Sequence, residues 1–182
     1  MRILYAADTH FGHANIIRLC NRPFSDVTEM DETMIRNWNK VVNQDDIVYI
    51  VGDFCFRNDL GAGYYLSRLN GKKILVRGNH DKWIEADAAA AAMLHSVVNI
   101  THTFDQSLSG HHISLCHYPL MTWPGKDSYM VFGHIHNNTN LDFWPYIRKN
   151  ERLLNAGVDI NNFCPVTLEQ LIHNNKKFKE VH

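Results

Sequence analysis

The residues with the most chemical promise in this chain are aspartates, histidines and one asparagine that follow short apolar runs. Asp8 and His10 come after Ile3–Ala7, Gly52-Asp53 after Ile47–Val51, and Gly78-Asn79-His80-Asp81 after Ile74–Val76. His117 follows Ile113–Cys116, and Gly133-His134-Ile135-His136 follows Met130–Phe132. Carboxylate, amide oxygen and imidazole form a mixed donor set, which suits manganese, iron, nickel or zinc better than the all-oxygen shells of calcium or magnesium. Asp8-Thr9-His10 and His134-Ile135-His136 each set two donors at i and i+2, which in extended backbone point the same way. Two cations about 3.5–4 Å apart repel each other, and a bridging carboxylate with a bridging hydroxide offsets that while positioning a nucleophile. Asp53 is the natural bridge. Gly52, Gly78 and Gly133 stand directly before donors, where a residue without Cβ lets the backbone approach an ion closely.

Donors this far apart in sequence meet only if something lines them up on one rim. The β-branched, apolar runs at Ile3–Ala7, Ile47–Val51, Ile74–Val76, Ile113–Cys116, Met130–Phe132 and Leu153–Val158 read as buried strands. The carboxyl ends of strands in open α/β sheets form such a rim. Between them, Met30, Met34, Trp38 and Val41 recur at helical spacing, predicting a helix from Val27 to Val42 capped by Ser25. A second helix runs through Tyr64, Tyr65, Leu66 and Leu69 and stops at Gly71; the alanine-rich Lys82 to Leu94 favours a third. The last spans Thr167 to Asn174, with Thr167 as cap. Strands alternate with helices in the first half and crowd together in the second. That pattern predicts a layered α/β structure with a mixed sheet or two packed sheets.

Composition bounds the function. At 182 residues with 45% apolar and 20% charged residues, the chain suits one soluble domain over 1–182. A formal net charge of -1 supplies no broad cationic field for a sequence-independent grip on nucleic acid. Lys176, Lys177 and Lys179 read as a solvated tail. Cys20, Cys55, Cys116 and Cys164 are widely spaced, which argues against a zinc ribbon or a disulfide scaffold and fits a reducing cytoplasm. Ile3–Ala7 is too short for a signal-peptide core, and no later run is long enough to span a bilayer, so a soluble cytoplasmic protein with no membrane partner is expected.

The blocks D-x-H, G-D, G-N-H-[DE], an isolated H and G-H-x-H, all present in order from Asp8 to His136, resemble the calcineurin-like metallophosphoesterases. The resemblance implies that Asp8, His10 and His136 hold one divalent transition metal and Asn79, His117 and His134 a second, with Asp53 between them. Manganese is the first expectation, with iron, nickel or zinc as alternatives. His80 would be the histidine that is not a ligand and that protonates the leaving group or stabilises phosphoryl charge, with Asp81 orienting it. The implied fold is a double β-sandwich flanked by helices, in four layers, α/β/β/α. The implied reaction is hydrolysis of a phosphate mono- or diester by a bridging hydroxide attacking in line. A nuclease or cyclic-nucleotide phosphodiesterase would use the same centre, and a non-catalytic metal-binding scaffold is the reading from another class. The expected partner is a small phosphate ester or nucleotide, with nucleic acid left open.

One departure is informative. The protein-phosphatase branch carries G-D-x-x-D-R-G, whereas this chain has Gly52-Asp53-Phe54-Cys55-Phe56-Arg57, with Phe56 in place of the second aspartate. The His-Asp dyad of that branch therefore does not carry over, although Arg57 falls where a phosphate-gripping arginine would lie. The run from Asp8 to Asn15 instead resembles small bacterial or phage phosphoesterases, and Asn155-Ala156-Gly157-Val158-Asp159 resembles a strand found after G-H-x-H. His13, Asn15 and Arg22 could line the substrate mouth or pack their own loop. His111 and His112 are expected in a solvent-facing turn, and His95, His102, His173 and His182 in structural or surface positions. Tyr118 and Trp123-Pro124-Gly125 could stack on a nucleobase, but are read as a proline-ordered loop packed on its own domain.

Overall fold

The computed structural model describes residues 1–182, the side chain of Ser109 excepted. The elements run β1 (Ile3–Ala6), α1 (Ala14–Leu19), α2 (Val27–Val41), β2 (Ile47–Ile50), α3 (Gly61–Leu66), β3 (Lys72–Val76), α4 (Trp83–Ala86) and α5 (Ala88–Ala91). They continue β4 (Ser96–Val98), β5 (Ile100–Asp105), β6 (His111–Cys116), β7 (Tyr129–Phe132), α6 (Trp144–Lys149), β8 (Leu153–Asn155) and α7 (Leu168–Val181).

Alternation along the strands divides the interior. In β1, Leu4 and Ala6 turn toward the helices and pack with Met30, Met34 and Trp38 of α2. Their neighbours Tyr5 and Ala7 turn the other way and meet Ile113, Leu115, Val131 and Leu154. On the far side, Met130, Phe132 and Leu153 pack on Trp144, Ile147 and Phe178. Both faces of each central strand are therefore covered, which is why the strands read as continuous apolar runs. The sheets are β1-β2-β3-β4, all parallel, and β5-β6-β7-β8, in which only β5 is antiparallel to its neighbour. The result is a mixed α/β fold with two four-stranded sheets flanked by helices. Each fully buried leucine or phenylalanine contributes roughly 1.5–3 kcal/mol relative to exposure.

Several local expectations change. The cap of α2 is Asp26, whose carboxylate accepts from the Glu29 N–H at 2.8 Å. Ser25 lies one residue too early and instead donates to the Glu29 carboxylate through its amide and hydroxyl. The predicted helix from Lys82 to Leu94 is two short helices, broken at Asp87, which caps α5. β4 and β5 carry no apolar run: β5 exposes Ile100, His102 and Phe104 as an edge strand, so no sequence pattern announced it. His111 and His112 are the first residues of β6, opposite Asp105 and Phe104, rather than a turn. The run Leu153–Val158 ends as a strand at Asn155, and Val158 opens a short 3-10 turn to Ile160.

The last helix continues to Val181, with Thr167 and Gln170 forming a capping box at its start. Lys179 is consequently not part of a solvated tail. It is buried, and its ammonium donates to the carbonyls of Asn150, at 2.8 Å, and Leu153. No helix in the described residues is long and apolar enough to cross a membrane.

Candidate metal centre

The chain turns sharply at the strand ends that carry the donors. Asp8, His10, Asp53, His134 and His136 have φ of 57°, 50°, 54°, 72° and 53°, in the left-handed region. The two i, i+2 pairs are thus not extended, and their convergence comes from these turns. Each such residue costs about 1–3 kcal/mol, and the strain persists only where the surroundings over-determine it, as at functional sites. Backbone bonds hold the turns together: Asp8 N–H donates to Gly52 O, and His10 N–H to Asp53 O, each at 3.0 Å. Gly52 itself has φ +86°, and a Cβ there would lie 2.2 Å from Nδ1 of His117.

Two sets of donors meet at Asp53. Its Oδ2 lies 3.5 Å from Nε2 of His10 and 3.5 Å from Nε2 of His117, while its Oδ1 accepts from the His80 N–H at 2.8 Å. On one side, Asp8, His10 and His136 bring a carboxylate oxygen and two ring nitrogens together, and Asp8 also groups with Asp53 and His117. On the other, Oδ1 of Asn79 lies 3.0 Å from Nε2 of His117 and 3.1 Å from Nδ1 of His134. The seven expected donors therefore sit around one point.

Two observations fit a metal there. Oδ2 of Asp8 and Nε2 of His10 are buried without a hydrogen-bond partner among the described residues, although buried polar atoms are rarely left unpaired. The remaining atoms of these donors are engaged in ways that aim the free ones. Oδ1 of Asp8 accepts from the His134 N–H at 2.9 Å, and Nδ1 of His117 lies 3.0 Å from the Val51 carbonyl, which leaves Nε2 with a lone pair.

Burial and neighbours set the charges. Burial pushes Asp8 up to about 6, against the pull of His136 and His117. Burial also holds the His10 ring down to about 4. At Asp53 burial opposes ionisation, but the His10 and His117 rings and the His80 amide outweigh it and hold the carboxyl far below its usual range. At His136 burial opposes the charged ring, yet the Asp159 carboxylate, Cys20 and Asp8 raise it to about 10. Such a ring must release its proton before it can ligate a cation.

The non-ligand residues are placed differently from expectation. His80 is exposed beside the centre, its ring 5.3 Å from that of His10, and it lines a cleft of about 790 Å³ with His13, Phe56, His134 and His136. Asp81 does not orient it. Its Oδ2 accepts from the N–H groups of Asp53 and Gly78, both at 2.8 Å, and its Oδ1 from Phe54 N–H at 2.9 Å and the Trp83 indole at 3.1 Å. The carboxylate is consumed in clamping the loop that carries Asp53. Arg57 is exposed and is not among the residues that line the cleft, although its neighbour Phe56 is. Asn15 is exposed on α1, also outside the cleft lining.

Arg22 packs its own loop rather than lining the mouth. It is buried, pairs with Asp159 through Nε at 2.8 Å and Nη2 at 3.1 Å, and donates to the carbonyls of Asp8 and Thr9. Asp159 in turn lies 2.9 Å from Nδ1 of His136. Sequence reasoning assigns Asp159 no role, and its one signal is the Asn155–Asp159 segment. Trp123 sits in a packed loop, its indole donating to Ser128 O. Tyr118 is instead at the centre, edge-on to His134 with ring centroids 4.6 Å apart. His102 faces Ser114 at 2.9 Å, away from the centre.

Comparison with known proteins gives the family of the chain. The model of the calcineurin-like phosphoesterase family matches residues 1–180, and the chain belongs to that family. It is 37% identical over 185 residues to an uncharacterized protein of Methanocaldococcus jannaschii, covering 100% of this chain and 96% of that one. The Gene 66 protein of Mycobacterium phage L5 is 35% identical over 80 residues, 42% of this chain and 38% of its own. The crystal structure of a protein of unknown function from Aquifex aeolicus superposes with a TM-score of 0.68 at 25% identity, covering 90% of this chain and 94% of that one.

Proposed function

We propose that this chain is a two-metal phosphoesterase that hydrolyses small phosphate mono- or diesters. The observation that carries the reading is Asp53, whose Oδ2 lies equally 3.5 Å from a ring nitrogen of His10 and of His117. Asp8, His10 and His136 would hold one divalent transition metal and Asn79, His117 and His134 the other, with Asp53 shared. Manganese is the first candidate for a mixed nitrogen and oxygen site, before iron, nickel or zinc. Bound there, such cations supply Lewis acidity and lower the pKa of a coordinated water to about 7.

The chain's own residues do the rest. His80, exposed in the cleft, donates a proton to the departing oxygen or a hydrogen bond to the phosphoryl group. Asp81 holds the Asp53 loop rigid, and Tyr118 screens His134 at the rim. Among the described residues, no lysine or arginine lines the cleft, which suits a small ester better than a nucleic-acid backbone. Buried donors left unpaired at Asp8 and His10 cost stability unless a cation takes them up, and turnover is what separates an enzyme from a non-catalytic metal-binding scaffold. Four free cysteines suit a reducing cytoplasm.

The test is a panel of aryl phosphate monoesters, diesters and cyclic nucleotides, assayed with added manganese and after chelation. Metal-dependent turnover of at least one class is expected. Equal rates with and without chelator, or none on any substrate in protein that binds metal, would overturn the reading.

A further inference from the structure

His10 and His136 have the same task in the proposed centre, but their other ring nitrogens have different partners. His136 Nδ1 faces the Asp159 carboxylate and His117 Nδ1 the Val51 carbonyl. His10 Nδ1 has neither. It lies 3.3 Å from Nδ1 of His13, its one hydrogen-bond partner among the described residues. Because His10 Nε2 is the atom turned to Asp53 and left unpaired, the ring that serves as ligand must carry its proton on Nδ1. A neutral His13 then accepts that proton's hydrogen bond.

The structure holds His13 firmly in this position. Its N–H donates to the His10 carbonyl at 3.1 Å, closing a tight turn ahead of α1. Its ring lies flat on Phe56, with centroids 3.8 Å apart and planes inclined by 9°. Phe56 occupies the place where the protein-phosphatase pattern has an aspartate, and here it fixes the plane of the accepting imidazole.

We propose that His13, stacked on Phe56, is a positioning residue that keeps His10 in the tautomer and orientation needed to ligate metal. This rests on the reading of His10 as a ligand. Outer partners of metal-bound histidines typically change metal affinity 10–100-fold when removed.

The test uses the full chain stripped of metal and titrated calorimetrically with manganese, comparing wild type, His13→Phe and His13→Gln. Phenylalanine retains the stack but cannot accept a hydrogen bond, whereas the glutamine amide oxygen can. His13→Phe should weaken one binding event by about 10–100-fold and leave the other within about twofold, and His13→Gln should recover most of the loss. Melting of the metal-free variants should match wild type, which separates positioning from folding. His13→Phe binding both equivalents as wild type does, or His13→Gln binding no better than His13→Phe, would overturn the proposal. A wild-type chain that binds no metal would overturn instead the reading beneath it, and this role with it.

Discussion

Nδ1 of His136 lies 2.9 Å from Oδ2 of Asp159, and the same carboxylate is held by Nε of Arg22 at 2.8 Å. Arg22 reaches on to the carbonyls of Asp8 and Thr9, so one buried chain of charge joins the turn after β1 to the histidine after β7. The carboxylate requires the ring proton on Nδ1 and leaves Nε2 for a cation.

Replacing Asp159 by asparagine leaves a single neutral oxygen to serve both the His136 ring and Arg22, which weakens the hold on the His136 tautomer and leaves the Arg22 charge uncompensated. Manganese affinity should fall about 10–100-fold. Urea unfolding should show a loss of about 3–5 kcal/mol, as when one partner of a buried ion pair is removed. Wild-type affinity in Asp159→Asn would disprove the coupling.

Asp81 and His80 are adjacent yet should fail in opposite ways. Asp81→Ala strips acceptors from three backbone N–H groups and the Trp83 indole, and should cost about 2–4 kcal/mol of stability. His80→Ala, at an exposed position, should stay within about 0.5 kcal/mol of wild type. Its metal content should be unchanged while kcat drops about 10²–10⁴-fold, most for poor leaving groups. Paired urea melts and rate measurements on the two variants check this, and a stable but slow Asp81→Ala would restore the orienting role.

Burial lowers the Lys179 ammonium to about 8, below the usual lysine value of 10.5. Between those values the unfolded chain binds a proton that the folded chain does not, so this group adds stability as pH rises from 8 to 10.5 and withholds it below 8. Measured against Lys179→Met, the stability of the wild type should therefore rise by about 1–3 kcal/mol across that window. A flat difference in urea unfolding would show that the ammonium is not desolvated.

The parts of the fold and site that the sequence made legible share a physical reason. Strands buried on both faces leave apolar runs, so β1, β2, β6 and β7 could be located, and polar residues immediately after such runs stand out. β5 was missed because an edge strand exposes Ile100 and Phe104 among polar neighbours. Side-chain type carries donor chemistry, which singles out Asp8, His10, Asp53, Asn79, His80, Asp81, His117, His134 and His136, and only the family resemblance separates seven ligands from His80 and Asp81. Where a carboxylate spends its hydrogen bonds is a tertiary fact. The resemblance has Asp81 orienting His80 and gives Asp159 no role, whereas Asp81 clamps the Asp53 loop and Asp159 faces His136. The backbone reason for convergence was also hidden, since nothing in Asp8-Thr9-His10 signals positive φ at both ends.

The central claim is that Asp53 is shared between two cations. The direct measurement is metal content per chain by elemental analysis after manganese loading and desalting, for wild type and Asp53→Asn, with diester hydrolysis on the same samples. Wild type should retain two equivalents and turn over, whereas Asp53→Asn should retain one or none and lose turnover. Two retained equivalents and full activity in Asp53→Asn would contradict the account.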